Sequence, residues 1–392
     1  MNVLQIDKKS PYPPSSGAEK RVWRTAERLS KLGEVWLAAP DCGSGSVPAP
    51  VEFVPIRSRM MTRKFVSNDL WYGGFVVGER NPVQWMQTTV ITRSLTALDV
   101  KFDVVVSEAP QMIPPARTMA EKHNAKLLIN KHNSYFDLLD QYLVQSAFPD
   151  PLRQRAVKNL KRYEQQSINV ADIVVFQSED DQKSFEIPQD TVTMVIPNGT
   201  DYEEIQSGGD PDDLAGKLGI STNSFVCLFI GSYDYEPNTA AAETIIYDLA
   251  PQLREMEFVL VGRNPPPTSQ PNVHTTGYVE QLSDALELAD IGLCPIPRGS
   301  GTKLKMLDYM AAGLPIVTTS VGAQGLPIAG GKHALVCDDA AAMITAITEV
   351  ADSPELRSRL STNAYALSQQ YAWSTLMDGY DRLFEVELLQ LE

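Results

Sequence analysis

Short apolar or β-branched runs alternate with helical patterns along almost the whole chain, and this alternation limits the available folds more than any single motif. In the first half the runs cover residues 3–6, 34–39, 51–56, 103–108, 126–132, 172–178 and 193–197. In the second half they cover 225–231, 257–262, 273–276, 291–296, 315–319 and 334–338, with helical patterns near 239–254, 281–289, 302–312, 340–351 and 354–370. Strands that alternate with helices predict parallel sheets covered by helices on both faces. The first helix is the clearest, because Val22, Ala26 and Leu29 share one face and Gly33 follows as a stop.

A chain of 392 residues exceeds one ordinary core, so two domains are expected. Their boundaries are placed at 1–200 and 223–372, with 201–222 as the linker because Ser207-Gly208-Gly209-Asp210-Pro211 is polar and rich in chain breakers. Residues 373–392 read as a closing amphipathic helix. The formal charge is −15, from 49 acidic and 34 basic residues, which argues against a general nucleic-acid binder but permits a local basic site. No run reaches the length of a membrane span, and the chain begins directly on a strand-like run, so a cytoplasmic protein is expected. Cys42, Cys227, Cys294 and Cys337, and His123, His132, His274 and His333, show no metal-ligand spacing.

Pro297-Arg298-Gly299-Ser300-Gly301-Thr302-Lys303-Leu304-Lys305-Met306-Leu307-Asp308 follows a β-like run and reads as a glycine-rich loop opening a helix. Leu304, Leu307, Met310 and Ala311 share a face, and Gly313 with Pro315 ends the helix. Glycines, a helix N-terminus and two lysines form a phosphate cradle, since N–H groups and ammonium charges converge there. Asp308 is spaced to accept hydrogen bonds from sugar hydroxyls. Taken alone, the same pattern also fits an ordinary α/β loop with solvated lysines.

The loop 11–17, Pro-Tyr-Pro-Pro-Ser-Ser-Gly, joins the first strand to the first helix, where open α/β sheets meet ligands; it fits a proline-stiffened turn equally well. Residues 57–95 break the alternation. Arg57, Arg59, Arg63 and Lys64 are interleaved with Met60, Met61, Phe65, Trp71, Tyr72, Phe75, Trp85 and Met86. Two readings stand: an insertion packed on the domain, or an acceptor-binding or peripheral membrane-surface element spanning 57–86.

Several motifs fall in one order: the loop 11–17 with its helix, Ala171-Asp172-Ile173-Val174-Val175-Phe176-Gln177-Ser178, Ile196-Pro197-Asn198-Gly199-Thr200-Asp201, Phe229-Ile230-Gly231-Ser232-Tyr233-Asp234-Tyr235-Glu236-Pro237-Asn238, and the glycine–lysine stretch through Gly325-Leu326. Together they resemble the retaining glycosyltransferases of family 4. The resemblance implies the GT-B fold, two Rossmann-like doubly wound α/β domains facing each other across a cleft. It further implies transfer from a nucleotide-sugar donor to a glycan or lipid-linked acceptor, with no metal ion and no other cofactor. The C-terminal domain would bind the donor, the N-terminal domain the acceptor, and the final helix would cross back onto the first domain.

Carried over by position, Asp308 matches the second glutamate of the family's pair, the one that holds the ribose; the first falls at Ser300 and is absent. The family's usual cations after the second domain's first strand are also absent, since 231–238 contains no Lys or Arg. Lys303 and Lys305, with Arg263 or Arg298, are then expected to neutralise the diphosphate, and Gly231, Gly299 and Gly301 to let backbone approach it. Gly17 matches a glycine near the donor phosphate, and His132 a histidine near the reaction centre, so His132 and Lys305 are the expected catalytic residues. Glu108 is a further acceptor-side candidate. A departing diphosphate gains negative charge, which aimed cations stabilise. Two alternatives remain open: a sugar-nucleotide epimerase of the same fold, and a catalytically silent sugar-nucleotide-binding subunit.

Overall fold

In a computed structural model, residues 1–14, 16–40, 47–56, 68–78, 81–146, 148–299 and 301–388 are described. They form two compact units. The first comprises Met1–Pro197 with Met377–Glu392, and the second Asn198–Leu376.

The first unit holds β1 (Asn2–Ile6), β2 (Glu34–Pro40), β3 (Val51–Ile56), β4 (Val104–Ser107), β5 (Lys126–Lys131), β6 (Ile173–Phe176) and β7 (Val192–Val195). They pair in parallel in the order β3-β2-β1-β4-β5-β6-β7. The order reverses between β1 and β4, which makes their carboxyl ends the crevice where an open α/β sheet takes ligands. Leu4, Ile6, Val105, Leu127, Ile129, Val174 and Phe176 are buried on one face, and Val3, Val104, Val106, Leu128, Ile173 and Val175 on the other, as strands covered on both faces require. The first helix, Gly17–Leu29, buries Val22, Ala26 and Leu29 as its spacing predicts, and Ser16 caps it by accepting from the Glu19 N–H.

Within 57–95, two helices, Asn68–Val77 and Pro82–Leu95, pack on this sheet. Trp71, Phe75, Ile91 and Leu95 are wholly buried, so these apolar residues serve the core. Among the described residues of the segment, Val77, Trp85 and Met86 are outward apolar residues, at 69%, 71% and 36% exposed. Arg57, Arg59, Met60, Met61, Arg63, Lys64 and Phe65 lie outside the described residues, as do Cys42 and Ser300.

The second unit holds β8 (Phe225–Ile230), β9 (Met256–Val261), β10 (Val273–Gly277), β11 (Ile291–Cys294), β12 (Ile316–Thr318) and β13 (Leu335–Val336). Their order is β10-β9-β8-β11-β12-β13, again parallel, with the reversal between β8 and β11. The pairing of β8 with β11 extends over only two register positions. Tyr309 fills the gap: its hydroxyl accepts from Ile230 N–H at 2.9 Å and donates to the Leu293 carbonyl at 3.1 Å. Its ring also explains Gly292, where a Cβ would stand 2.6 Å from the ring carbon Cγ.

Residues 201–222 differ from the loose linker expected. They form the helices Tyr202–Gln206 and Pro211–Leu218, and Ile205, Ala215 and Ile220 belong to the second unit's core. Glycines and proline here cap and start short helices: Asp210 accepts from Asp213 N–H, Pro211 opens the second helix, and Gly219 closes it at φ +70°. The closing helical stretch is likewise split. Trp373–Leu376 remains in the second unit, while Asp378–Leu388 belongs to the first. There Tyr380, Leu383 and Phe384 are buried, and Arg28 pairs with Asp378 at 2.6 Å and with Asp381.

Candidate functional site

In the second unit, the segments leaving β8 and β11 lie side by side. The backbone at Gly231 runs so close to Gly262 that a Cβ on Gly262, whose φ is +132°, would strike the Gly231 carbonyl. Across from it, Gly299, at φ +130°, would place a Cβ 3.3 Å from the Tyr235 hydroxyl. Arg298 is paired with Glu236, its Nε donating at 3.0 Å, which ties the two loops together. The helices that follow, Glu236–Thr244 and Leu304–Ala311, have no side-chain cap at their N-termini. In the first of them Pro237 has no N–H and the Asn238 N–H already reaches the Tyr235 carbonyl, so it is the second helix whose first N–H groups suit an anion.

Lys305 supplies what the 231–238 loop lacks. Its Nζ donates to Asn238 Oδ1 at 2.8 Å and lies 3.9 Å from the centre of the Phe229 ring, while Asn238 Nδ2 donates to the Ser232 carbonyl at 2.8 Å. The ammonium thus comes from the second helix yet underlies the first loop. It is only 9% exposed, and burial pulls its pKa down to about 8, with Cys294 and Asp308 opposing that shift and Lys303 adding to it. Lys303 donates to the Gly301 carbonyl at 2.7 Å, and burial lowers its pKa as well. Arg263, at the end of β9, accepts the Tyr233 N–H on its carbonyl at 3.0 Å, and its buried Nε has no hydrogen-bond partner. Asp308 accepts from Thr200 Oγ1 at 2.7 Å, which orients one carboxylate oxygen. Gly231, Arg263, Gly299, Lys303, Lys305 and Asp308 therefore all belong to this unit. Gly301 is exposed beside them, and Ser300 lies outside the described residues.

In the first unit, Glu108 and His132 meet at the carboxyl ends of β4 and β5. His132 Nε2 is 2.9 Å from Glu108 Oε2, and His132 Nδ1 is 3.1 Å from Gln177 Nε2. Glu108 Oε1 accepts from Gln5 Nε2 at 2.6 Å and from Asn130 Nδ2 at 2.8 Å. With Gln5 and Asn130 donating to Oε1, Oε2 is left to face the imidazole. His132 Nε2 then carries the hydrogen and Nδ1 accepts from the Gln177 amide. The ring is 7% exposed, and burial lowers its pKa against the opposing pull of Glu108, which holds it neutral.

Lys131, one residue before His132, pairs with Glu164 in a dry environment and lies 4.6 Å from the Phe185 ring centre. Glu164 also accepts the N–H of Phe136 at 2.9 Å, so this pair fastens the turn after β5. The network continues from Asn130 Oδ1, which accepts from Tyr380 OH at 2.8 Å. Arg21, on the first helix, donates to the carbonyls of Ile196 and Pro197 at 2.7 and 2.9 Å. Gly17 begins that helix, one residue after its Ser16 cap.

Sequence reasoning missed Asp7, Gln5, Asn130, Gln177 and Tyr380. The signal for Gln5 and Asn130 was present as single polar residues within apolar strand runs. Asp7 is 6% exposed, and burial pushes its carboxyl up to about 7, with Glu108 and Glu19 adding to the rise and Lys8 opposing it. Among the described residues, no three His, Cys, Asp or Glu side chains are grouped to hold a metal ion. Nor is any helix among them long and apolar enough to cross a membrane.

Residues 224–353 match the family model described as Glycosyl transferases group 1. A phosphatidyl-myo-inositol mannosyltransferase from Mycobacterium leprae is 26% identical over 209 residues, 48% of this chain and 52% of that protein. A D-inositol 3-phosphate glycosyltransferase from Streptomyces scabiei is 25% identical over 49% of this chain and 48% of its own. The matched region thus spans about half the length of these relatives. Among solved structures, sucrose-phosphate synthase from Thermosynechococcus elongatus superposes with a TM-score of 0.77 at 15% identity over the whole of both chains. The Anabaena protein HepE in complex with UDP-glucose gives 0.63 at 14% identity, over 98% of this chain and 100% of its own. The fold is therefore that of the GT-B glycosyltransferases, as expected.

Proposed function

We propose that this chain, whose residues 224–353 carry the Glycosyl transferases group 1 match, is a glycosyltransferase that moves a sugar from a nucleotide-sugar donor to an acceptor with retention at the anomeric carbon. The observation that carries this reading is the placement of Lys305 at the switch point of the second sheet. A buried ammonium beneath one loop, carried on a helix whose N-terminus has no side-chain cap, suits a diphosphate leaving group. Lys303 and Arg263 add charge at the same edge, and Asp308, held by Thr200, accepts ribose hydroxyls. The complex of HepE with UDP-glucose supports a nucleotide-sugar donor.

The first unit takes the acceptor, at the edge formed by Glu108 and His132. The mannosyltransferase relatives, named for a phosphatidyl-inositol, support a polyol or lipid-linked acceptor. Trp85 and Met86, exposed on one helix, would then meet the lipid or a membrane surface peripherally.

The test is nucleoside diphosphate release from a panel of nucleotide sugars, with and without acceptor extract. Release is expected, and rises with acceptor. Binding without turnover would instead mark a silent sugar-nucleotide-binding subunit, and epimer formation an epimerase. Lys305→Ala is expected to weaken nucleoside diphosphate binding, measured by titration calorimetry, by about 1.5–3 kcal/mol, the scale of a hydrogen bond to a charged group. Unchanged affinity would remove Lys305 from the diphosphate site.

A further inference from the structure

We propose that Tyr380, on the helix that returns to the first unit, is a positioning residue for the Glu108–His132 pair: its hydroxyl fixes the amide of Asn130, and that amide holds the carboxylate that faces the imidazole. The functional side of this rests on the transferase reading above.

Register brings the participants together. Gln5, Val106 and Leu128 are aligned across β1, β4 and β5, so Gln5 shares one face of the sheet with Glu108 and Asn130, each two residues further along its strand. The helix Gly17–Leu29 covers that face, where Gln5 Nε2 reaches the Val22 carbonyl at 3.0 Å. The helix Asp378–Leu388 is fastened to it, since Arg28 pairs with Asp378 and Asp381. Gly379 lets the returning helix come close, because a Cβ there would stand 2.9 Å from Ile196 Cδ1. Tyr380, the next residue, is wholly buried, and its hydroxyl donates to Asn130 Oδ1 at 2.8 Å.

An amide has a donor end and an acceptor end, so its orientation decides what Glu108 meets. Glu108 Oε1 accepts from Gln5 Nε2 and Asn130 Nδ2. A flipped Asn130 would set Oδ1 against the same oxygen, acceptor against acceptor. Tyr380 opposes the flip. The Arg21 guanidinium, which can only donate, also bonds the Tyr380 oxygen, and Thr25 Oγ1 stands 3.5 Å from it, so the phenolic proton goes to Asn130. The bonds then run in one sense: Tyr380 donates to Asn130, Asn130 to Glu108 Oε1, and His132 Nε2 to Glu108 Oε2, with Gln177 on His132 Nδ1. Asn130 and Glu108 are 4% and 2% exposed, so little water is at hand to replace a lost partner. Every member of this relay belongs to the first unit.

The experiment compares wild type with Tyr380→Phe, Asn130→Ala, the double variant of these two, and Phe384→Leu. Phe384 is buried on the same helix and has no polar side-chain atom, so its variant loosens the helix without touching the relay. Three quantities are measured well below the melting temperature: turnover with the nucleotide sugar that gives nucleoside diphosphate release, nucleoside diphosphate affinity, and the ring-nitrogen NMR signals of His132, assigned against His132→Gln. Tyr380→Phe is expected to lower kcat about three- to tenfold, the scale of one neutral hydrogen bond. Its nucleoside diphosphate affinity should stay within about twofold, which separates a positioning effect on turnover from lost binding. The His132 Nε2 proton signal should be sharp in wild type and Phe384→Leu, and broadened or lost in Tyr380→Phe and Asn130→Ala. Because Tyr380 acts through the amide, the double variant should be no slower than Asn130→Ala alone. If Tyr380→Phe keeps both kcat and the sharp proton signal, if the two losses multiply in the double variant, or if Phe384→Leu reproduces the Tyr380→Phe effects, Tyr380 is not a positioning residue. If wild type neither binds nucleoside diphosphate nor releases it from any nucleotide sugar, the transferase reading fails, and the imidazole signal still decides whether Tyr380 fixes the pair.

Discussion

Asp7 and Glu108 are both strand-end carboxylates, yet their surroundings differ. Glu108 is held by three side-chain donors, whereas Asp7 is buried beside Glu108 and Glu19 with Lys8 as its compensation. The difference has a consequence for stability. The folded Asp7 titrates near 7 instead of 3.8, so between those pH values the folded chain holds a proton that the unfolded chain has released. Its contribution to stability therefore falls as pH rises through that window. Asp7→Asn should accordingly raise the melting temperature at about pH 8 and leave it almost unchanged near pH 3.5, with a ceiling of about 4 kcal/mol. A stabilisation that is larger in acid would contradict the assigned state. Nothing in the sequence marks Asp7 off from Glu108, because each is a carboxylate ending an apolar run. The distinction comes from Gln5 and Asn130, which reach Glu108 only when β1, β4 and β5 stand together.

At the scale of elements, the turn after β5 is set by a buried ion pair and not by turn residues. Lys131 and Glu164 are 4% and 1% exposed, and Glu164 also receives the N–H groups of Tyr135 and Phe136. Removing one partner strands a buried charge, so Lys131→Met should cost about 3–5 kcal/mol in denaturant unfolding, well above a surface pair. A loss below about 1 kcal/mol would mean that water reaches the pair. The helix Leu304–Ala311 shows a similar division between what pattern reveals and what packing adds. Its amphipathic spacing is legible in the sequence, and Lys305 and Asp308 stand on it where that spacing puts them. That Tyr309 would wedge β8 from β11 was not, because the gap it fills depends on strand order. The lysine's reach to Asn238 was hidden for the same reason, since the cation-poor loop and the cation-rich helix are joined only through the sheet.

Taken as a whole molecule, the chain leaves its first unit after Pro197 and returns to it at Met377. The returning segment buries Met377, Tyr380, Leu383 and Phe384, each contributing about 1.5–3 kcal/mol as an upper estimate. Ending the chain at Leu376 should therefore destabilise the first unit by roughly 4–10 kcal/mol, comparable to the whole margin of an ordinary domain. Hydrogen exchange should show lost protection in β5 and the helix Gly17–Leu29, with β8 and β11 unchanged; equal loss in both units would refute this division. By itself the sequence determined the order of strands and helices, the two parallel sheets and the glycine–lysine loop, because periodicity, chain breakers and spacing are local properties. Only the tertiary structure decided that 201–222 is core, that Lys305 serves the loop after β8, and that Asp7 holds a proton near neutrality. Burial and charge state depend on neighbours brought from distant parts of the chain, and no local pattern encodes them.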